Sequence, residues 1–276
     1  MKIRHEDLTG TFEQKKKLVS QFNLLQDIFF SAVMQDKAAA EYVLRLCTGI
    51  PDLRIIESDT QKSFRNLYGK APVLDFYAED SNHKLYNIEV QNSDDEQYFG
   101  PLRARYYQSI LDASLFPKGL TYENLPEMYI IFITPFNPLK EYNHHKVIYE
   151  KKSTLEDIVW DNRVHEVYLN TEETDDTKLS EMLQYFKTAD PDDKRFGALS
   201  NAVYRHKDTE EGVLNMCKAV EDYANERADI KMREGKIEGN YEKAVEVVGN
   251  LLAKKFTLSA ALEIAGIDEE TYKKYQ

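Results

Sequence analysis

Asp75 and Glu89 fall in two short runs, Val73–Glu79 and Leu85–Gln91, that are rich in aromatic and branched side chains and are separated by Asp80-Ser81-Asn82-His83. Runs of that composition around a turn-forming tetrad read as a β-hairpin. Strand side chains alternate, so Leu74, Phe76 and Ala78 share one face of the first strand, and Tyr86, Ile88 and Val90 share one face of the second. Both sets are apolar. Laying them on the same side of the hairpin requires a loop of odd length, such as Ser81–His83, and that register sets Asp75 directly opposite Glu89. The other face then carries Val73, Asp75, Tyr77 and Glu79 beside Leu85, Asn87, Glu89 and Gln91. A slip of one residue would push Tyr86 and Ile88 among the acids, so burial of the apolar side selects the carboxylate pairing.

Opposed strand positions bring Cβ atoms to ~5 Å, where two carboxylates repel unless a cation lies between them. A divalent ion removes that cost. Oxygen donors at ~2.0–2.1 Å with retained waters are the preference of Mg²⁺, for which Mn²⁺ is the natural substitute. Zinc would call for a His and Cys cluster, whereas the 6 histidines are scattered. The adjacent pair His144-His145 is poorly placed to ligate one ion and is expected at the surface. Alternation alone favours a solvated outer face of the hairpin bearing the two acids, and the continuation into Arg103, Arg105 and Gln108 on the next helix is what raises the functional reading.

The elements that must position the hairpin are readable on either side of it. Apolar periodicity predicts a helix around Leu24–Val33 and a second over Lys37–Cys47, with Asp36 as its N-cap and Gly49 and Pro51 as its stop. Pro101 suits the first turn of a helix running to Phe116. On that helix Arg105 and Gln108 share a face by their i, i+3 spacing, and would aim a cation and an amide at an anion beside the acids. Met128–Thr134 is apolar on both alternating sets, as a strand covered on two faces would be, and Val164–Leu169 is the last expected strand. This order implies an α/β fold with a mixed β-sheet flanked by helices over residues 1–175.

Residues 176–276 are expected to form a helical C-terminal region. Up to Lys146 the chain holds 17 Lys+Arg against 20 Asp+Glu, so −9 of the total −12 lies beyond it. Asp208–Phe256 reads mostly as helix, with breaks allowed at Gly235 and Gly239, and could pair with another chain as a homo-oligomer. Leu258–Thr271 has two short helical patterns around Gly266. Without a basic face it reads as helical packing rather than as a DNA-reading helix-turn-helix.

Composition narrows the function classes. With 276 residues, 42% hydrophobic, 30% charged, 11 Gly and 8 Pro, the chain is neither disordered nor fibrous. A net charge of −12 opposes broad adhesion to phosphate backbones, so any nucleic-acid contact has to be local. Cys47 and Cys217 lie in apolar helical stretches and are expected as buried, reduced thiols. The start MKIRHEDLTG lacks the apolar stretch of a secretory signal, and no window reaches the ~18 apolar residues of a membrane span. A cytoplasmic protein with no membrane contact is expected.

Three segments carry a resemblance: Asp75-Phe-Tyr-Ala-Glu-Asp, Tyr86-Asn-Ile-Glu-Val-Gln91 and Arg103-Ala-Arg-Tyr-Tyr-Gln-Ser109. Together they closely resemble the Rpn-type recombination-promoting nuclease and transposase family of the PD-(D/E)XK nuclease superfamily. In weaker form the likeness runs from the Asp27 helix, through Met128–Pro135, to the tract at 234–239. It implies a restriction-endonuclease-like core, Mg²⁺-dependent hydrolysis of phosphodiester bonds in DNA, and a link to recombination or mobile elements. Carried over, Asp75 is similar to the acidic metal ligand, Glu89 to the second acid, and the backbone carbonyl of Val90 to a further ligand. Asp27 resembles an accessory acid, Arg105 and Gln108 resemble phosphate or strand-positioning groups, and Tyr106 and Tyr107 are expected to pack. Gln91 stands where the superfamily carries lysine. An ammonium stabilises developing negative charge, whereas an amide can only hydrogen-bond. Gln91 would then position the attacking water, and the alternative is a catalytically weak or inactive module that binds nucleic acid or protein subunits.

Overall fold

The doubly apolar run Met128–Thr134 lies inside a six-stranded sheet in the computed structural model, which describes residues 8–64, 71–92, 100–116, 119, 121–150 and 160–276. The strands are β1 Ile55–Ser63, β2 Val73–Asp80, β3 Leu85–Val90, β4 Met128–Thr134, β5 Lys146–Tyr149 and β6 Val164–Asn170, in the order β1-β2-β3-β4-β6-β5. β3, β4 and β6 run parallel to their neighbours in that central trio, while β1, β2 and β5 pair antiparallel, so the sheet is mixed. The fold is α/β with flanking helices, as expected.

Both edge strands escape a reading by hydrophobic pattern. β1, with sequence IIESDTQKS, buries only Ile55 fully, and β5 buries no residue fully. Edge strands with solvent on most positions show no apolar alternation to find. The first described helix, α1 (Phe12–Ser20), also lay outside the expected set, although Thr11 and Gln14 form a reciprocal capping box.

Helices α2 (Asp27–Met34) and α3 (Lys37–Thr48) lie against the β1–β2 side of the sheet. Asp36 caps α3 by accepting from the Ala39 N–H at 3.0 Å, and Gly49 ends it in the left-handed region at φ 80°. Glu41 ties α3 to β1: Oε1 accepts the Ile55 N–H at 3.1 Å, and Oε2 takes Arg45 at 2.6 Å and Arg54 at 3.4 Å. Helix α4 (Pro101–Leu115) connects parallel strands β3 and β4, a link that needs a crossover. Its Ala104, Tyr107 and Leu111 pack with Tyr77, Ile130 and Phe132, so the acid-bearing face of the hairpin is covered. All six residues of β3 are buried, which rules out a solvated outer face.

The chain forms two compact units, Met1–Ala219 and Val220–Gln276. Helices α5 (Lys178–Thr188) and α6 (Ala198–Asp208) belong to the first unit, because their Met182, Leu183, Phe186, Leu199 and Val203 are wholly buried. Phe186 lies 6.2 Å from Phe30, and its carbonyl accepts the Leu24 N–H. Acidic composition marks the solvated faces of these helices and says nothing of the faces they bury.

Lys207 shows how tightly α6 is tied in. It is 2% exposed, and Nζ donates to Ser20 at the end of α1 (3.2 Å) and to Thr188 at the end of α5 (3.4 Å). Burial pushes its ammonium down to about 8. An unfolded lysine keeps its proton to ~10.4, so stability from this group increases between pH ~8 and ~10.4 and is lost as pH falls through ~8. The stability difference between wild type and Lys207→Met, read from urea midpoints, is expected to shift in favour of wild type by about 3 kcal/mol from pH ~7.5 to ~10.5. A pH-independent difference would contradict this.

Helix α7 (Glu210–Ala253) is continuous through Gly235 and Gly239, and the boundary between the units falls within it. In the second unit, Val248 packs with Ala261 and Leu262 of α8 (Leu258–Ala265) and Tyr272 of α9 (Glu269–Tyr275). Thr257 and Asp268 cap the two short helices, and Gly266 turns between them at φ 69°. Among the described residues no helix is long and apolar enough to cross a membrane. Cys47 and Cys217 are buried free thiols.

Candidate active site

The hairpin loop sets the register. Asp80 donates its N–H to the Lys84 carbonyl at 3.0 Å, leaving Ser81–His83 as the odd-length loop, and His83 adopts the left-handed region at φ 60°. A three-residue loop closed by a left-handed residue is a common hairpin form. Asp80 is fully buried and accepts the Asn82 and Lys84 N–H groups at 2.9 Å each, and the Tyr86 hydroxyl at 2.9 Å. Beyond it Ala78 faces Tyr86, Tyr77 faces Asn87 and Phe76 faces Ile88. Next along the two strands stand Asp75 and Glu89, whose contacts interlock. The Asp75 N–H donates to Glu89 Oε1 at 3.3 Å, and the Val90 N–H donates to Asp75 Oδ2 at 3.0 Å.

Glu89 has no exposed surface. Its Oε2 accepts Arg103 Nη2 at 2.8 Å and the Tyr107 hydroxyl at 3.2 Å. Burial, and then the charge of Asp75, hold the Glu89 carboxyl well above the usual range, against the pull of Arg103. Burial likewise raises Asp75 to about 6, with the Asp27 charge adding to the rise and the Val90 N–H and Arg103 opposing it. Asp27 is half-buried at the start of α2, and one of its oxygens accepts the Ile28 N–H at 3.0 Å. Buried carboxyls whose ionisation is opposed by burial and by neighbouring charge cluster at functional sites.

Gln61 enters from β1. Its Nε2 lies 3.4 Å from Asp75 Oδ1 and 3.2 Å from Ser31 Oγ, with the backbone at φ 55°. Nothing in the polar pattern of β1 singles it out in sequence. Gln91 follows the end of β3, half-buried, and its N–H donates to the Ile133 carbonyl at 3.0 Å. Val90 is 5% exposed, with its N–H committed to Asp75. Asn87, fully buried on the Glu89 face, has no side-chain hydrogen-bond partner among the described residues.

The groups that α4 lays on the acids differ from those expected. Arg105 is exposed, and Gln108 donates to Asp112 at 3.4 Å. Arg103 and Tyr107 take the place beside Glu89. The buried stripe of the helix is Ala104, Tyr107 and Leu111, and Arg103 borders it one turn before Tyr107, whereas Arg105 is rotated ~200° from Arg103. That stripe was the available sequence signal. Tyr107 packs as expected, but its hydroxyl is also a hydrogen-bond donor to the site. Of the histidine pair, His144 is exposed, while His145 is half-buried and lies 3.2 Å from Asp175.

The donor set fits a hard divalent cation. Asp75 and Glu89 offer carboxylate oxygens whose mutual repulsion such an ion would relieve. Among the described residues no group of three or more His, Cys, Asp or Glu side chains is placed to hold an ion unaided. Mg²⁺ asks for no more than one or two carboxylates, completing its shell with waters and substrate phosphate.

A family model described as PD-(D/E)XK nuclease family transposase matches residues 42–238, well over half of the chain, and spans the sheet, the hairpin and α4. Neither the curated proteins nor the solved structures yield a match. The mixed sheet flanked by helices agrees with the nuclease fold. On the extent of that match, the chain belongs to the PD-(D/E)XK nuclease family transposases.

Proposed function

We propose that this protein is a metal-dependent DNA endonuclease that hydrolyses phosphodiester bonds in recombination or in the movement of mobile elements. The observation that carries the reading is the buried, interlocked pair Asp75 and Glu89, Glu89 resisting ionisation because of burial and the Asp75 charge, and Asp75 because of burial and the Asp27 charge. When bound, a divalent ion would neutralise phosphate charge and make water more acidic. Asp75 and Glu89 would hold it, the Val90 carbonyl would be a further donor, and Asp27 would add accessory negative charge. Gln91 would hydrogen-bond the attacking water. Arg105, exposed on α4, would meet a phosphate oxygen, and Gln108 would steady the strand after leaving Asp112. Such contacts are local, as the net charge of −12 requires.

The test is nicking of supercoiled plasmid with Mg²⁺ or Mn²⁺. Asp75→Ala and Glu89→Ala are expected to remove the activity while circular dichroism shows an unchanged fold. Equal nicking by wild type and variants would sink the proposal. Gln91 favours a second reading, a nuclease-fold module that binds nucleic acid or protein without turnover, because an amide cannot supply the charge of a lysine. Tight DNA binding that is insensitive to metal and yields no product would select it.

A further inference from the structure

Glu89 is gripped through one oxygen. Oε2 accepts both Arg103 Nη2 and the Tyr107 hydroxyl, which occupies its two lone pairs. Oε1 accepts, among the described residues, the Asp75 N–H alone and keeps acceptor capacity beside Asp75. The grip is itself braced: Arg103 Nε donates to the Tyr107 hydroxyl at 2.6 Å, and the guanidinium lies 5.0 Å from the centre of the Tyr107 ring. Both residues come from one face of α4 at i, i+4 spacing, so the helix delivers them as a unit.

We infer that Arg103, braced by Tyr107, is a positioning residue for the acid site, pinning Oε2 of Glu89 so that Oε1 is presented beside Asp75 to a divalent ion. The inference rests on the metal-dependent reading above and deepens it. A glutamate side chain has several free torsions, and fixing them before the ion arrives removes an ordering cost from binding. Groups that orient a ligating carboxylate typically govern metal affinity by ~10–100-fold. The planar fork of arginine engages Glu89 and Tyr107 together, which a lysine point charge cannot reproduce.

The experiment titrates Mn²⁺ alone, without DNA, into wild type, Arg103→Met, Arg103→Lys and Tyr107→Phe, following free Mn²⁺ by paramagnetic resonance and the fold by circular dichroism. Arg103→Met is expected to weaken Mn²⁺ binding by ~10-fold or more, with Arg103→Lys and Tyr107→Phe weakened to a smaller degree. A folded Arg103→Met protein with wild-type affinity overturns the inference, since a merely structural arginine changes melting and not the affinity of the folded protein. Should Arg103→Met fail to fold, wild-type affinity in both Arg103→Lys and Tyr107→Phe overturns it equally. Asp75→Asn separates the two claims. If wild type binds Mn²⁺ and Asp75→Asn does not, the metal reading stands whatever the Arg103 variants do; if wild type binds none, both readings fall.

Discussion

Asp75→Asn is expected to abolish nicking and, in the same molecule, to raise the melting temperature of the metal-free protein. The loss follows from removing a charged donor from a two-carboxylate site, and should reach ~10³-fold or more, since a single electrostatic group at the reacting centre commonly carries ~10²–10³. The gain follows from the energetics of the ground state. Burial moves the Asp75 carboxyl from its ordinary 3.8 to about 6. A displacement of that size corresponds to about 3 kcal/mol, which partial solvent screening reduces to about 1–3 kcal/mol. Asparagine keeps an oxygen for the Val90 N–H and carries no charge to bury.

The pH dependence fixes the sign. A carboxyl whose native value is raised contributes stability that is fully present below its unfolded value and is lost as pH rises through its native value. The stability advantage of Asp75→Asn should therefore be negligible at pH ~3.5, grow between pH ~4 and ~6, and stay level above that. At pH ~8 in a chelator, calorimetry should place the variant about 3–8 °C above wild type. A variant melting at or below wild type at that pH would contradict the burial argument. One side chain would then be costly to the fold and necessary to the chemistry, the usual relation between stability and activity at a functional site.

Asp80→Ala is expected to have the largest effect on stability among the hairpin positions. The carboxylate satisfies three donors: the Asn82 N–H, the Lys84 N–H and the Tyr86 hydroxyl. Asn82 is exposed and Lys84 half-buried, so their N–H groups can turn to water, but Tyr86 has no exposed surface. An orphaned buried hydroxyl costs ~1–3 kcal/mol, and the lost loop contacts and cavity bring the total to about 3 kcal/mol, or roughly 6–12 °C in melting temperature. Adding Tyr86→Phe should recover part of this, because the hydroxyl left without a partner is then gone. Nicking by the fraction that stays folded should change by less than ~10-fold, since apolar burial along the strands also holds the register. A cost below ~0.5 kcal/mol, or additive losses in the double variant, would show that the loop is not what Asp80 secures.

Register is where the sequence was most informative. Phe76 and Ala78 meet Ile88 and Tyr86 in the expected phase, whereas Leu74, expected on that same face, joins the buried cluster of Tyr77, Ala104 and Tyr107. The three-residue loop, the Asp36 cap, the Gly49 stop and the central strand Met128–Thr134 were legible for the same reason, because each depends on neighbours a few positions away. The second unit's turn at Gly266 belongs with them.

Tertiary structure decided what covers the acids and which side chains reach them. The rotation of α4 about its own axis is set by where Ala104, Tyr107 and Leu111 find apolar partners on β2, β3 and β4, and that rotation chooses Arg103 over Arg105. Gln61 arrives from an edge strand whose polar composition hides it, and Asp27 acts on Asp75 from a separate helix. The unit boundary at Ala219 likewise reflects packing of α5 and α6 that their surface charge conceals. Alternation along a strand is a property of the chain, whereas the seating of a helix on a sheet is a property of contacts between distant segments, and only folding brings those together.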